Sequence, residues 1–112
     1  MKPYYFFLIL IGFGLNLRAQ ESIPESRYEK KSVMIPMRDG IKLHTVIFVP
    51  KESQELWPFL LSRTPYGVAD AAFPERSQPE LAKEGFIFVK QDIRGRYLSE
   101  GKFEMLRMTR DP

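Results

Sequence analysis

The sequence predicts an α/β fold in which an antiparallel hairpin is followed by a βαβ unit. Three observations carry this prediction. Two β-rich stretches flank Asp39-Gly40, two unbroken apolar stretches follow at 59–61 and 86–89, and a short helical segment lies between the apolar stretches. Asp-Gly between β-rich stretches favours a hairpin. A strand, a helix and a second strand in this order favour parallel pairing in one sheet, and hence an α/β sheet.

The hairpin is predicted from its alternation of side chains. Apolar residues alternate from Val33 to Met37, and the returning strand runs from Ile41 to Val49. The odd-numbered residues of the returning strand share one face, and His44 lies on the other. We expect a type I′ turn at Asp39-Gly40, in which both central residues take positive φ.

The βαβ unit is predicted from residue 59 onward. Phe59-Leu60-Leu61 is apolar without alternation, which indicates a strand covered on both faces. Ser77 is predicted to cap a short helix that has Pro79 in its first turn and ends at Gly85. Residues 86–89 then form a second buried strand.

The first 19 residues are interpreted as a cleaved signal peptide. Lys2 precedes an apolar run from Tyr4 to Leu17, and Ala19 supplies a small residue before a polar start. The alternative is a membrane anchor, but a run of about 14 residues is shorter than the roughly 20 that span a bilayer. We therefore expect export to the periplasm or beyond, with no stable membrane span after cleavage.

Length and composition limit what the rest of the chain can be. The 112 residues suit at most one domain. Residues 20–31 are polar and are predicted to be a flexible lead-in, so 32–112 is the folded portion. The net charge is +3, and no run of Lys and Arg alternates with aromatic residues, so we expect no nucleic acid partner. The chain has no cysteine, and His44 is its one histidine, so we expect no metal site and no cofactor.

One turn is a candidate for contact with a substrate. Thr64-Pro65-Tyr66-Gly67 follows the first apolar strand and holds one phenol beyond its C-terminal end. In an open α/β sheet, ligands bind beyond the carboxyl ends of the strands. The alternative is a turn whose tyrosine only packs on the surface, because Pro and Gly mark turns of every kind.

Four stretches, in order, resemble the N-terminal part of one enzyme family. They are Val33–Leu43, Arg63–Gly67, Gly85–Val89 and Asp92–Gly101. Together they resemble the Xaa-Pro dipeptidyl-peptidase-like serine hydrolases of the cocaine esterase type, which are α/β-hydrolases. The resemblance implies that residues 32–112 are the N-terminal portion of a longer α/β-hydrolase domain, with an incomplete sheet.

The resemblance also implies an activity and one site residue. In the family, the tyrosine of the Thr-Pro-Tyr turn donates its phenol to the oxyanion hole, and Tyr66 stands at that position. The expected substrate is a small ester or a short peptide. No Gly-x-Ser-x-Gly elbow occurs in the sequence, so the catalytic Ser, Asp and His are expected beyond residue 112, and the 112-residue piece alone is expected to be inactive. Ser62, Ser99 and His44 are interpreted as ordinary strand or loop residues.

The loop after the last strand matches the family's Asp-x-Arg-Gly…Ser-x-Gly pattern at 92–101. We predict a structural role for it, in which Arg94 pairs with a carboxylate and ties down the strand end. The alternative is a wall of the acyl pocket. Arg96 occupies a position where a small or varied residue is expected to serve equally well.

Two other functions stay open from the sequence. The chain could be a truncated secreted relic without catalytic activity, or it could belong to another α/β-hydrolase family such as the carboxylesterases or dienelactone hydrolases. An in-frame elbow beyond codon 112 would exclude the relic. A dispensable Tyr66 phenol would favour the other families.

Overall fold

The computed structural model describes residues 25–52 and 56–105. These residues form four strands and two short helices, which are β1 (Tyr28–Pro36), β2 (Lys42–Pro50), β3 (Phe59–Thr64), α1 (Pro74–Ser77), α2 (Pro79–Glu84) and β4 (Ile87–Asp92). The predicted signal peptide, residues 1–19, lies outside the described ranges. Within those ranges, no helix has both the length and the apolar character that crossing a bilayer requires.

The strands form one mixed sheet in the order β1-β2-β4-β3. β1 pairs antiparallel with β2, and β2 pairs antiparallel with β4 from Thr45 opposite Gln91 to Phe48 opposite Phe88. β3 pairs parallel with β4, and Thr64 lies opposite Asp92 at the C-terminal ends of both strands. The predicted hairpin and the predicted parallel pair joined by a helical connection are confirmed, and so is the α/β class.

The hairpin turn differs from the type I′ turn that the sequence predicts. The N–H of Gly40 donates to the carbonyl of Met37 at 3.0 Å, and the N–H of Met37 donates to the carbonyl of Ile41 at 2.8 Å. Gly40 has φ 84°, and Asp39 is not among the described residues with positive φ. A type I turn followed by one left-handed glycine also joins antiparallel strands, and it needs positive φ at the glycine alone.

Strand β1 begins at Tyr28, so the predicted flexible lead-in is wrong for residues 28–31. The cause is the burial of Tyr28, which is 3% exposed. Its ring packs edge-on against Phe88 with centroids 5.7 Å apart, and its hydroxyl donates to the carbonyl of Ala82. Residues 29–31 carry only charged side chains and lie exposed on the sheet edge, which is why their composition looked like a flexible segment.

The main core lies on the even-numbered face of β2. Val46 is 1% exposed and Phe48 0%, and both pack with Phe88, Ala82 and Val68. The odd-numbered face is buried in part as well, since Thr45 is 0% exposed. An interior strand is covered on both faces, so alternation in the sequence did not identify the principal core face.

Strand β3, for which residues 59–61 predict cover on both faces, is covered only in part by the described residues of this chain, whose sheet was expected to be incomplete. It lies at the edge of the sheet. Phe59 is 66% exposed and Leu61 is 50% exposed, whereas Leu60 is half-buried against the core. A continuous apolar run therefore marks a strand that this chain covers only in part.

The helical connection is divided into two short helices. Ser77 ends α1 and its hydroxyl donates to the carbonyl of Phe73 at 3.2 Å, so the prediction that it caps the following helix is wrong. The N-cap of α2 is Gln78, without a side-chain hydrogen bond. Pro79 in the first turn and Gly85 at the C-cap are confirmed.

Candidate active site

The candidate site lies where β3 and β4 end side by side. Because the two strands are parallel, the loops that follow them leave the sheet on the same side, at the C-terminal ends of the strands. The N–H of Ile93 donates to the carbonyl of Thr64 at 3.2 Å and continues the pairing past the last strand residue. We name residues 64–67 the tyrosine turn and residues 93–103 the arginine loop.

Tyr66 is an accessible phenol on the tyrosine turn. Its side chain lies outside the core, and the residue is 81% exposed. Its N–H donates to Oγ1 of Thr64 at 3.1 Å, which closes a local turn of the kind that Thr side chains stabilise. A ligand above the strand ends can therefore reach the phenol, and its part in an oxyanion hole stays a prediction.

Arg96 contacts the tyrosine turn directly. Its Nε donates to the carbonyl oxygen of Pro65 at 3.2 Å. Its guanidinium lies 5.4 Å from the ring centre of Tyr97 and 5.2 Å from that of Phe103. The sequence assigned no specific role to this position, and a planar cation that donates from its side is suited to these contacts.

Arg94 has the structural role that the sequence predicts. Its guanidinium donates to both carboxylate oxygens of Asp39, at 2.8 and 3.1 Å. The hydrogen bond from Arg94 is the main cause that lowers the pKa of Asp39. Burial opposes it to a smaller extent, and the N–H of Ile41 makes a still smaller contribution that lowers the pKa. This pair ties the arginine loop to the hairpin turn.

Asp92, at the end of β4, is the centre of a buried hydrogen-bond network. Its side chain is fully buried, and Oδ2 lies 3.0 Å from Nδ1 of His44. The hydroxyl of Ser99 donates to the carbonyl of Asp92 at 2.7 Å and accepts the N–H of His44 at 2.9 Å. The network therefore fastens β2, β4 and the arginine loop together.

The same histidine also contacts a serine on β1. Oγ of Ser32 lies 2.8 Å from Nε2 of His44, so the order of hydrogen bonds, Ser32 to His44 to Asp92, is that of a hydrolase triad. A nucleophilic serine, however, is presented on a sharp strand-to-helix turn. Ser32 lies inside the regular β1–β2 ladder, opposite Val46. We therefore assign the three residues to the support of the sheet.

The sequence did not indicate these pairings. His44 and Asp92 are 48 positions apart, and Arg96 and Pro65 are 31 apart. No local pattern relates residues at such separations. A polar residue within an apolar strand was the one available signal, and it indicates burial with a partner rather than the partner's identity.

A second concave region of the described residues lies away from the candidate site. A pocket lined by Arg27, Tyr28, Trp57, Ala82 and Gly85 lies at the opposite end of the sheet, near the start of β3 and β4. Among the described residues, no group of three or more His, Cys, Asp or Glu side chains could hold a metal ion.

A mixed α/β sheet with a Thr-Pro-Tyr turn and an Asp-x-Arg-Gly loop at its parallel strand ends defines a protein of the α/β-hydrolase type. The model of the X-Pro dipeptidyl-peptidase (S15) family matches residues 39–111, which is more than half of the chain. The chain therefore belongs to the X-Pro dipeptidyl-peptidase (S15) family.

Similar proteins of known identity are much longer than this chain. Cocaine esterase from Rhodococcus sp. (strain MB1 Bresler) is 39% identical over 75 residues, which cover 64% of this chain and 13% of the esterase. The solved structure of a selenomethionine-labelled α-amino acid ester hydrolase is 42% identical with a TM-score of 0.67, and the match covers 78% of this chain and 16% of that one. An aminopeptidase from a marine sediment archaeon, Thaumarchaeota archaeon, is 37% identical with a TM-score of 0.63, over 70% of this chain and 14% of that one.

Proposed function

We propose that this chain is the N-terminal part of an exported serine hydrolase that cleaves acyl bonds through an acyl-enzyme. The bond is an ester, or the amide bond that follows an N-terminal X-Pro dipeptide. The nucleophilic serine, the acid and the catalytic histidine are supplied by residues beyond Pro112. The names of the similar proteins, two ester hydrolases and an aminopeptidase, support this range of substrates.

The role of Tyr66 in this reaction is to donate its phenolic hydrogen to the oxyanion. When the serine attacks, the carbonyl oxygen gains negative charge, and a preorganised donor about 3 Å away stabilises it. The backbone N–H after the serine is the second donor. One observation carries the proposal. Tyr66 is 81% exposed and lies just beyond the C-terminal end of β3.

Ester and amide cleavage make the same demand on this side of the site. Both reactions place charge on a former carbonyl oxygen, and they differ in the leaving group. Tyr66 therefore serves either reaction, and the residues that bind the leaving group and the N-terminus of a peptide lie elsewhere in the protein.

The test is the Tyr66→Phe variant of the full-length enzyme, assayed with an activated ester. We expect kcat to fall by roughly 10²–10³, because one oxyanion donor is lost. The melting temperature should change little, because the hydroxyl is exposed. A variant with wild-type turnover would exclude the role of Tyr66 and favour an α/β-hydrolase whose second donor is a backbone N–H.

Tyr28→Phe is a matched control for the loss of a tyrosine hydroxyl. Tyr28 lies at the other end of the sheet, where its hydroxyl donates to the carbonyl of Ala82. We expect this change to lower stability by about 1 kcal/mol and to leave kcat of the folded enzyme unchanged.

Export has its own test, because it rests on residues 1–19 alone. We expect the mature protein to be recovered outside the cytoplasm with Gln20 as its first residue. N-terminal sequencing that finds residues 1–19 still attached would contradict cleavage of a signal peptide.

A further inference from the structure

We propose that Arg96 is a positioning residue for Tyr66. From the arginine loop it restrains the peptide group that joins Pro65 to Tyr66, and so helps to place the backbone from which the phenol extends. The catalytic consequence rests on the proposed function of Tyr66, whereas the fixing of the turn can be measured without it.

Both polar groups of this one peptide are hydrogen-bonded. The carbonyl of Pro65 accepts from Nε of Arg96 at 3.2 Å, and the N–H of Tyr66 donates to Oγ1 of Thr64 at 3.1 Å. A peptide group is planar. Anchoring its oxygen and its N–H therefore restrains the peptide group and, with it, the position of the Tyr66 Cα atom from which the side chain extends. Of the two anchors, Thr64 belongs to the turn, so Arg96 is the one that ties the peptide to another element.

The guanidinium of Arg96 is itself held in place. It lies over the rings of both Tyr97 and Phe103, with distances of 5.4 and 5.2 Å to their centres. Arginine stacks on aromatic faces while its N–H groups stay free to donate in the guanidinium plane. The donor to Pro65 is therefore preorganised, unlike that of a free surface arginine.

Tyr97 supports the same turn from a second point. It has φ 49°, and Tyr97 is the only non-glycine with positive φ among the described residues. A Cβ atom on Gly67 would lie 3.0 Å from two atoms of the Tyr97 ring, so the ring packs against the backbone of the turn. An uncommon backbone conformation persists where surrounding contacts fix it, and such residues cluster at functional sites. Pro65 and Gly67 are thus held on either side of Tyr66.

The test uses Arg96→Met in the full-length enzyme, alone and combined with Tyr66→Phe. Methionine keeps much of the side-chain length but removes the donor and the charge. We expect kcat to fall by about tenfold or more, because small displacements of a catalytic group are costly, and KM to change little. In the Tyr66→Phe background, Arg96→Met should have no further effect on kcat.

Two further variants complete the design. Arg38→Met removes an exposed arginine of the hairpin turn and should leave kcat unchanged. Arg96→Lys keeps a cation near the rings but not the side-on donor, so its kcat should lie between those of Arg96→Met and the wild type. It replaces Arg96→Met if that variant does not fold.

The outcomes separate this inference from the proposed function. An Arg96 effect of equal size in both backgrounds, or no effect in either, would overturn the positioning role. If Tyr66→Phe alone leaves turnover unchanged, the function of Tyr66 fails, and hydrogen–deuterium exchange of peptides covering the tyrosine turn decides the inference. Faster deuterium uptake in Arg96→Met than in Arg38→Met would then support positioning, and equal uptake would overturn it.

Discussion

Arg94 and Arg96 lie in the same loop but have different roles, because their side chains have different partners. Arg94 makes a two-point ion pair with Asp39, while Arg96 donates to a backbone carbonyl and lies over two aromatic rings. The Asp-x-Arg-Gly pattern predicts pairing with a carboxylate for Arg94. It predicts nothing specific for Arg96, because that role depends on a turn from another part of the chain.

The Asp39–Arg94 pair predicts a pH dependence of stability. Arg94 lowers the pKa of Asp39 in the folded state. The stability from this pair is therefore present above the ordinary Asp pKa of about 3.9, and it is lost as the pH falls through the lowered folded-state value. We expect the difference in urea midpoint between wild type and Asp39→Asn to be larger at about pH 6 than at about pH 3.

The control for this prediction is the same comparison with Arg94 replaced by Met. Without the guanidinium, the pH-dependent part of the difference should become much smaller, because the main cause of the lowered pKa is removed. A difference that is equal at both pH values in the wild-type background would show that the pair does not contribute.

Ser99 is predicted to matter for stability although it is not a nucleophile. It is 8% exposed, and its hydroxyl joins the N–H of His44 to the carbonyl of Asp92. Ser99→Ala would leave that buried N–H without its partner, so we expect a loss of about 1–3 kcal/mol in urea unfolding. Ser62→Ala, at an exposed position of β3, should stay within about 0.5 kcal/mol of wild type. Equal losses for the two serines would contradict the buried network.

At the scale of elements, two glycines that both have positive φ are predicted to differ in the stability that is lost when each is replaced by alanine. Gly40 and Gly95 have φ of 84° and 70°, but a Cβ on Gly40 meets nothing within 4 Å, whereas one on Gly95 lies 2.1 Å from the backbone nitrogen of Phe103. Gly40→Ala should therefore cost about 1 kcal/mol for the left-handed conformation alone. Gly95→Ala should cost about 1–3 kcal/mol more, because the arginine loop must move to admit the methyl group.

Thermal or urea unfolding of the two full-length variants measures this difference. Similar losses for Gly40→Ala and Gly95→Ala would mean that the close approach of residues 95 and 103 does not constrain the loop. The comparison emphasises packing, since both glycines have a positive φ that an alanine rarely adopts.

The elements also show where local patterns were insufficient. Pro79 lies in the first turn of α2 and Gly85 ends the helix, as predicted, because the effect of each depends on its own backbone conformation. Ser77 does not cap α2, because its hydroxyl bonds back to the preceding turn of α1. β1 starts at Tyr28 because that ring packs with Phe88 across the sheet. The charged residues that follow Tyr28 in the sequence do not indicate this contact.

At the scale of the whole sheet, the two edges differ in character. β1 carries Glu29, Lys30 and Lys31, and charges on an edge strand discourage pairing with other chains. β3, at the other edge, exposes Phe59 and Leu61. An apolar edge strand is a template for further strands.

This difference predicts the behaviour of residues 20–112 expressed alone. We expect self-association, and we expect Leu61→Lys to raise the monomer fraction measured by sedimentation velocity. Met34→Lys, at a 40% exposed position of β1, should change it little, because that edge is already charged. A monomeric 20–112 with a cooperative thermal transition would contradict the prediction.

The sequence by itself determined the α/β class, the hairpin, the parallel strand pair and the position of Tyr66 after β3. Each of these follows from residues near one another in the chain, through alternation, turn residues and apolar runs. The tertiary structure decided which strands lie at the edges, which face of β2 holds the main core, and how Arg96, His44 and Asp92 are paired. Such features depend on contacts between residues that are far apart in sequence, and local chemistry states that a polar side chain needs a partner without specifying which one.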